Sequence, residues 1–332
     1  MASSKPLITA QTVYFGLALV IPLLVKLYQI RLCDQLDQAT KKLNQTLGNQ
    51  DILVFARVPK TASLTVNAIV SELKDIHDYK VLSNLDGMPL ASSSQEYLYE
   101  PDPNQRKKSV LAFVDYPDKP LLYTRHQTFW DFSEFQQEHH QPMYFSFVRD
   151  PVDRVISWYY YMRSAGYQLS EDGSSIDSVV SVRALKESLE DCLLLKRREC
   201  QFVEGMPIFT NGANSHSSQL AFFCGHSPAC NQFESKPLFA QAVHHFQTHF
   251  SVVGLTEHFN PSLKVLEAFL PRYFKGATSL LDMANVTTNT NPFKPKVSAE
   301  VRHMLAKNMS KEIEFYHLAK QRLFKQLASL YE

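Results

Sequence analysis

Glycine is scarce in this chain, ten among 332 residues, and none of them builds a GxxxxGK[ST] phosphate loop. A nucleotide kinase working through that loop is therefore not indicated, and no acidic strand end stands out as its metal ligand. HExxH, an EF-hand loop and CxxC are also absent, so no metal is expected. Charge of one sign is lacking: 34 Lys and Arg stand against 33 Asp and Glu, a formal net charge of +1. Nucleic acid is not an expected partner, and an acidic partner of another kind would have to meet a local basic cleft. There is no internal repeat; apolar strands are expected near Leu53, Leu122, Phe145 and Val252, and a final amphipathic helix from about Ala299 to Leu330. Polar stretches from Ser83 to Lys108 and at LSEDGSSIDS (169–178) read as surface loops.

What is present begins with FARVPKTASLTVNAIVSEL, Phe55 to Leu73. Ile52 to Phe55 is an apolar run suited to a buried strand, Pro59 halts it, and Val66, Ile69, Val70 and Leu73 then recur on one helical face. Between the two, Lys60, Thr61, Ala62 and Ser63 place a cation, hydroxyls and backbone amides at a helix N-terminus, where the dipole favours an anion. The alternative is a strand, a proline turn and a capped helix carrying a surface lysine. PMYFSFVRDPVDRVISWYYYMR, Pro142 to Arg163, repeats the design, with Arg149 where the strand ends and Ser157 about two helical turns on. A guanidinium fork and a hydroxyl so placed can grip a second phosphate.

Taken together, RVPKTAS and VRDPVDRVISWYYY resemble the membrane-bound sulfotransferases that use 3′-phosphoadenosine 5′-phosphosulfate (PAPS), specifically the uronyl and heparan sulfate 2-O-sulfotransferases. FFCGHSPAC (222–230), FSVVGLTEHF (250–259), FLPRYFKGAT (269–278) and EFYHLAKQRLF (314–324) resemble that family in the same order, so the likeness runs from residue 51 to the C-terminus. It implies one α/β domain, a P-loop-like sulfotransferase fold with a central parallel sheet flanked by helices. It also implies that Lys60, Thr61, Ala62, Ser63, Leu64 and Thr65 form the 5′-phosphosulfate loop, and that Arg149 and Ser157 form the 3′-phosphate site. Arg57 and Trp158 fall where acceptor contacts are expected.

Sulfuryl transfer needs a base for the acceptor hydroxyl, and histidine suits that near neutrality. Of twelve histidines, His126 in LLYTRHQTFWDF follows an apolar strand and matches the family's catalytic histidine. A second family histidine two residues earlier is here Thr124. His126 is therefore the expected base, with Lys60 stabilising the sulfuryl group and the leaving oxygen. His139, His140, His244 and His245 read as structural or surface histidines.

Five cysteines include two local pairs, Cys192 with Cys200 and Cys224 with Cys230, which suggest two disulfides in an oxidising lumen and have counterparts in the family. Cys33 is left over, to bridge protomers or carry a palmitoyl chain. The longest N-terminal apolar run, Val13 to Val25, sits inside a segment approaching the ~20 residues of a bilayer span. We read 1–7 as a cytoplasmic tail, 8–28 as a transmembrane signal anchor, 29–50 as a stem and 51–332 as the luminal domain. A cleaved signal peptide is the competing reading, and no small-x-small site follows the run. Lys5 before the run and Lys26 and Arg31 after it do not settle orientation. The cysteines and the sequons at Asn44, Asn285 and Asn308 favour a type II protein of the Golgi membrane. Leu32, Leu36, Ala39, Leu43 and Leu47 recur at helical spacing in the stem, and the family likeness implies a homo-oligomer, a trimer.

The acceptor is expected to be an acidic glycan. After Arg163, where heparan 2-O-sulfotransferases carry a basic run, this chain has AGYQLSEDGSSIDS, and Trp158 stands where tyrosine is usual. A divergent member resembling the insect Pipe-type enzymes fits better than one acting on ordinary heparan sulfate. KRRE at Lys196 to Glu199 reads as a solvated charge run. The alternative function is an inactive Golgi glycan-binding protein that keeps the fold.

Overall fold

The computed structural model describes residues 51–83, 99–118, 120–137, 141–163, 187–209, 218–283 and 295–331. The expected tail, anchor and stem, with Cys33 and Asn44, lie outside the described residues, as do Asn285, His139, His140 and the acidic loop. Among the described residues no helix is long and apolar enough to cross a membrane.

Five parallel strands form one sheet: β1 (Ile52–Ala56), β2 (Lys80–Leu82), β3 (Leu121–Arg125), β4 (Met143–Val148) and β5 (Phe250–Leu255), in the order β2-β3-β1-β4-β5. Every residue of β1, β4 and β5 is buried, because a parallel sheet covered by helices on both faces excludes water from both sides of its strands. That is why these strands appear in the sequence as nearly continuous apolar runs, interrupted only by Ser146, Ser251 and Gly254. The sheet interior is aromatic: the Phe55 and Phe145 rings stack at 4.5 Å across β1 and β4. Phe147 lies over Gly254, its register partner on β5, and a Cβ at Gly254 would come within 2.5 Å of the Phe147 ring.

The connection leaving β1 is α1 (Ser63–His77), which leads toward β2 on one side. The connection leaving β4 begins with α3 (Pro151–Met162), following α2 (Pro103–Val114) in the chain, and leads toward β5 on the other side. Neighbouring strands whose exits diverge create a crevice at their C-terminal ends, where ligands of open α/β sheets bind. RVPKTAS and VRDP are the two loops flanking that crevice.

Two expectations are corrected. Pro103–Val114 is helical although Ser83 to Lys108 reads as loop; Asp102 accepts from the Asn104 N–H at 2.9 Å and Pro103 occupies the first turn. The C-terminal helix, expected from Ala299 to Leu330, is two helices, α10 (Ala299–Lys307) and α11 (Ser310–Ala328), following α4 (Leu189–Leu194), α5 (Leu220–Cys224), α6 (Lys236–Thr248), α7 (Phe259–Phe269), α8 (Pro271–Phe274) and α9 (Ala277–Met283). The break is stabilised from a distance: Glu234 accepts from the N–H groups of Lys311 at 2.8 Å and Glu312 at 2.9 Å. Both expected disulfides are present, Cys192–Cys200 and Cys224–Cys230, closing loops of sequence separation 8 and 6.

Candidate active site

The loop after β1 is built around left-handed backbone at two residues that are not glycine, Lys60 (φ 66°) and Ala62 (φ 63°). Such positions cost of order 1–3 kcal/mol each and persist where the surroundings over-determine them, a pattern concentrated at ligand sites. Thr61, fully buried between them, donates its hydroxyl to the Val58 carbonyl at 2.8 Å and braces the turn. The turn delivers the chain into α1 with Ala62 as N-cap and no side-chain cap at all. No acidic residue occupies the first turn either. The capped-helix alternative is thereby excluded, and the first-turn N–H groups are left for an anion. Ser63 and Thr65 are buried in that first turn, whereas Leu64 projects outward at 59% exposure.

The Lys60 ammonium lies 3.7 Å from the centre of the Tyr161 ring, a cation–π contact across to α3. The loop after β4 is joined to the same turn: Arg149 donates Nη1 to the Lys60 carbonyl at 3.4 Å. Ser157, part-exposed, stands on α3, and Trp158 beside it is 5% exposed with its ring 6.1 Å from Tyr161.

His126 follows β3 directly, and β3 pairs with β1, so the histidine comes to the same crevice. The Arg57 N–H donates to the Arg125 carbonyl at 3.0 Å, and the Arg57 carbonyl lies 2.8 Å from His126 Nδ1. A carbonyl only accepts, so Nδ1 carries the proton and Nε2 keeps its lone pair. Burial, then the positive charge of Arg57, with Arg125 and Lys60 adding to it, pushes His126 down to about 3 against the raising effect of the Arg57 backbone bond. The crevice is therefore locally cationic although the chain is almost neutral. The arrangement offers an uncapped helix terminus, cations from two loops and a neutral imidazole whose Nδ1 carries the proton, which is what an anionic donor and a hydroxyl acceptor require.

Thr124 is not oriented as a catalytic group: it is 5% exposed and donates to Asn67 Oδ1 at 2.9 Å. His245 is buried against the Phe223 carbonyl at 3.0 Å, and His244 is exposed on the same helix. Asn308 is exposed at the end of α10. Among the described residues the one cluster with metal-ligand spacing is Glu187, Cys192 and Glu199, and its sulfur is bonded to Cys200.

Sequence reasoning missed Tyr161, Arg125 and Gln219. Arg125 was signalled by its place beside His126, while Tyr161 reads as one more apolar helix residue until the fold brings Lys60 over it. Gln219, fully buried just before α5, holds the peptide of Arg149, and no motif in the sequence marks it.

Residues 47–319 match the model described as "Sulfotransferase family". The chain belongs to the sulfotransferase family. This sulfotransferase-family chain is 31% identical over 294 residues to the uronyl 2-sulfotransferase homolog pip of Drosophila melanogaster, covering 86% of the chain and 55% of that relative. It is 27% identical over 282 residues to heparan sulfate 2-O-sulfotransferase 1 of Xenopus laevis, covering 82% of the chain and 70% of that relative. The human uronyl 2-sulfotransferase is 26% identical over 275 residues, with 81% of the chain and 61% of the relative covered. The chain thus spans little more than half the length of its fly relative.

Proposed function

We propose that this chain is a carbohydrate O-sulfotransferase that transfers the sulfuryl group of PAPS to a hydroxyl, the 2-O of a uronic acid, on a glycosaminoglycan or related acidic glycoconjugate. The observation that carries the reading is the meeting of three strand-end loops in one cationic crevice, with His126 fixed in the tautomer that leaves Nε2 a base. Bound there, PAPS would supply the sulfuryl group and an anionic leaving group. His126 Nε2 takes the acceptor proton, while Lys60 leaves the face of Tyr161 to neutralise charge on the leaving oxygen. Backbone N–H groups from Thr61 to Thr65, with the Ser63 and Thr65 hydroxyls, hold the 5′-phosphate. Arg149 and Ser157 hold the 3′-phosphate, and Arg57 meets the acid of the acceptor sugar. Trp158, with little of its ring exposed, contributes an edge to the acceptor side.

The two disulfides support a luminal setting. The reading therefore includes a type II protein of the Golgi membrane anchored through 8–28, self-associated, with glycans on Asn44, Asn285 and the exposed Asn308.

The test incubates the luminal part with sulfur-labelled donor and a panel of desulfated heparan, dermatan, chondroitin and non-glycosaminoglycan acceptors. Label should reach at least one acid-bearing acceptor. Lys60→Ala and His126→Ala should each cut transfer by about 100-fold or more. Label incorporation indifferent to both substitutions would sink the mechanism, and donor binding without transfer to any acceptor would favour a glycan-binding protein.

A further inference from the structure

Arg149 stands at the junction of β4 and α3, and its own peptide is gripped by a residue seventy positions away. Gln219, 0% exposed, accepts from the Arg149 N–H at 3.3 Å and donates Nε2 to the Arg149 carbonyl at 3.0 Å. The carboxamide orientation follows from the pairing: reversed, it would set NH₂ against N–H and oxygen against oxygen. Both polar groups of one residue are thus held by one side chain, which fixes the backbone angles that aim the Arg149 Cα–Cβ bond into the crevice.

Gln219 is held in turn. Its N–H donates to Glu312 Oε2 at 3.1 Å, and the Ser218 hydroxyl at 2.5 Å and the Leu220 N–H at 3.2 Å both donate to Glu312 Oε1. Glu312 is fully buried in the first turn of α11; burial raises its carboxyl to about 7, against the opposing charge of the fully buried Arg154 of α3. The start of α11 is itself set by Glu234. A buried carboxyl group accepting from three donors, a buried carboxamide and the arginine form one continuous chain of contacts between the C-terminal helix and the crevice.

We propose that Gln219 and Glu312 are positioning residues that set Arg149 for the 3′-phosphate of the donor, and so determine the preference for a 3′-phosphorylated nucleotide. The inference rests on the proposed role of Arg149. It predicts a selective defect, because Gln219 and Glu312 act on the backbone of Arg149, whose bond to the 5′-phosphate loop, Nη1 to the Lys60 carbonyl, is long at 3.4 Å, whereas that loop is braced from within by the Thr61 hydroxyl on the Val58 carbonyl at 2.8 Å. An ordinary packing role would instead weaken all nucleotide binding together.

The experiment measures, by calorimetry on the full luminal domain, the affinities of 3′-phosphoadenosine 5′-phosphate and of adenosine 5′-phosphate, and takes their ratio. Variants are Gln219→Ala, Gln219→Glu, which keeps shape and acceptor but loses the donor to the Arg149 carbonyl, and Glu312→Gln, with folding followed by circular dichroism. Gln219→Ala should lower the ratio by about tenfold, and each of the other two by a smaller factor, with adenosine 5′-phosphate affinity held within about twofold. Arg149→Ala should abolish the preference. If Arg149→Ala abolishes it and folded Gln219 variants keep it, the positioning role is wrong. If Arg149→Ala also keeps it, the 3′-phosphate assignment itself is wrong and the inference falls with it.

Discussion

The Nδ1–H of His126 donates a hydrogen bond to the carbonyl oxygen of Arg57, 2.8 Å away, and that bond helps set the orientation of the ring. The bond ties the loop after β3 to the loop after β1, so the proposed base is referenced to the same backbone that shapes the proposed anion site. Cations from both loops surround it, and a neutral ring is the form such a field selects.

The first prediction concerns pH. Burial and the Arg57 charge push His126 down to about 3, so the free enzyme holds it neutral well below the ordinary histidine range. We expect His126 to contribute no downward step near pH 6.5 to kcat/KM, which reports groups of the free enzyme. The measurement is a pH profile from 5 to 8 on a saturable acceptor, with thermal stability checked at each point. A step near 6.5 that vanishes on mutating another histidine would leave this expectation intact, whereas a step belonging to His126 would contradict it.

Thr124 provides the second. Its hydroxyl donates to Asn67 Oδ1 at 2.9 Å and does not face the base, so Thr124→Val should cost about 1 kcal/mol of stability. Transfer activity should stay within about twofold of wild type. A hundredfold loss of kcat in a folded Thr124→Val protein would make the hydroxyl part of the chemistry.

The third follows from buried titrating groups. Burial lowers His226 to about 3 and His249 to about 4, and lowers His245 as well, all below the unfolded value of about 6.5. The unfolded chain then binds more protons below pH 6.5, so this part of the stability is complete above 6.5 and drains away as the pH falls toward 4. Glu312 acts with the opposite sign: burial raises it to about 7 against an unfolded value of about 4.3, so the folded state takes up a proton first and gains as the pH falls through that window. Tm should fall between pH 6.5 and 4, and fall more steeply in Glu312→Gln, which lacks the compensating carboxylate.

Gly254 carries the fourth. An added Cβ would sit 2.5 Å from the Phe147 ring, which itself packs against Phe55 and Phe259 and has nowhere to turn. Gly254→Ala should destabilise the domain by about 1–3 kcal/mol in a denaturant melt. Combining it with Phe147→Leu should recover part of that loss by making room, and a fully additive double mutant would argue against the clash.

Much of the sheet was legible because β1, β3, β4 and β5 are apolar runs that no surface element would tolerate. β2 was not: it has three residues, Lys80 is exposed, and Val81 and Leu82 are only part-buried, so no apolar run marks it. The start of α2 was written plainly as Asp102-Pro103, an N-cap followed by proline, within a stretch that reads as loop by composition. The division of α10 from α11 was hidden because the group that caps the second helix, Glu234, lies 77 residues before Lys311 in the chain. In the site, Lys60, His126 and Arg149 announced themselves by standing at strand ends. Gln219 and Glu312 did not, since a buried polar residue looks like a surface one until its partners are assembled around it.

The contacts of Glu312 also impose an order on how this protein comes into being. As the chain emerges from N-terminus to C-terminus, the phosphate-like turn, the histidine and the arginine are all made within the first half. Yet Gln219 acquires its anchor only once residue 312 has been synthesised and α11 has docked. A nascent or truncated chain that stops short of α11 therefore displays the motifs without a settled arginine. If Arg149 reads the donor as proposed, that ability arrives only with α11, the C-terminal helix of the described residues.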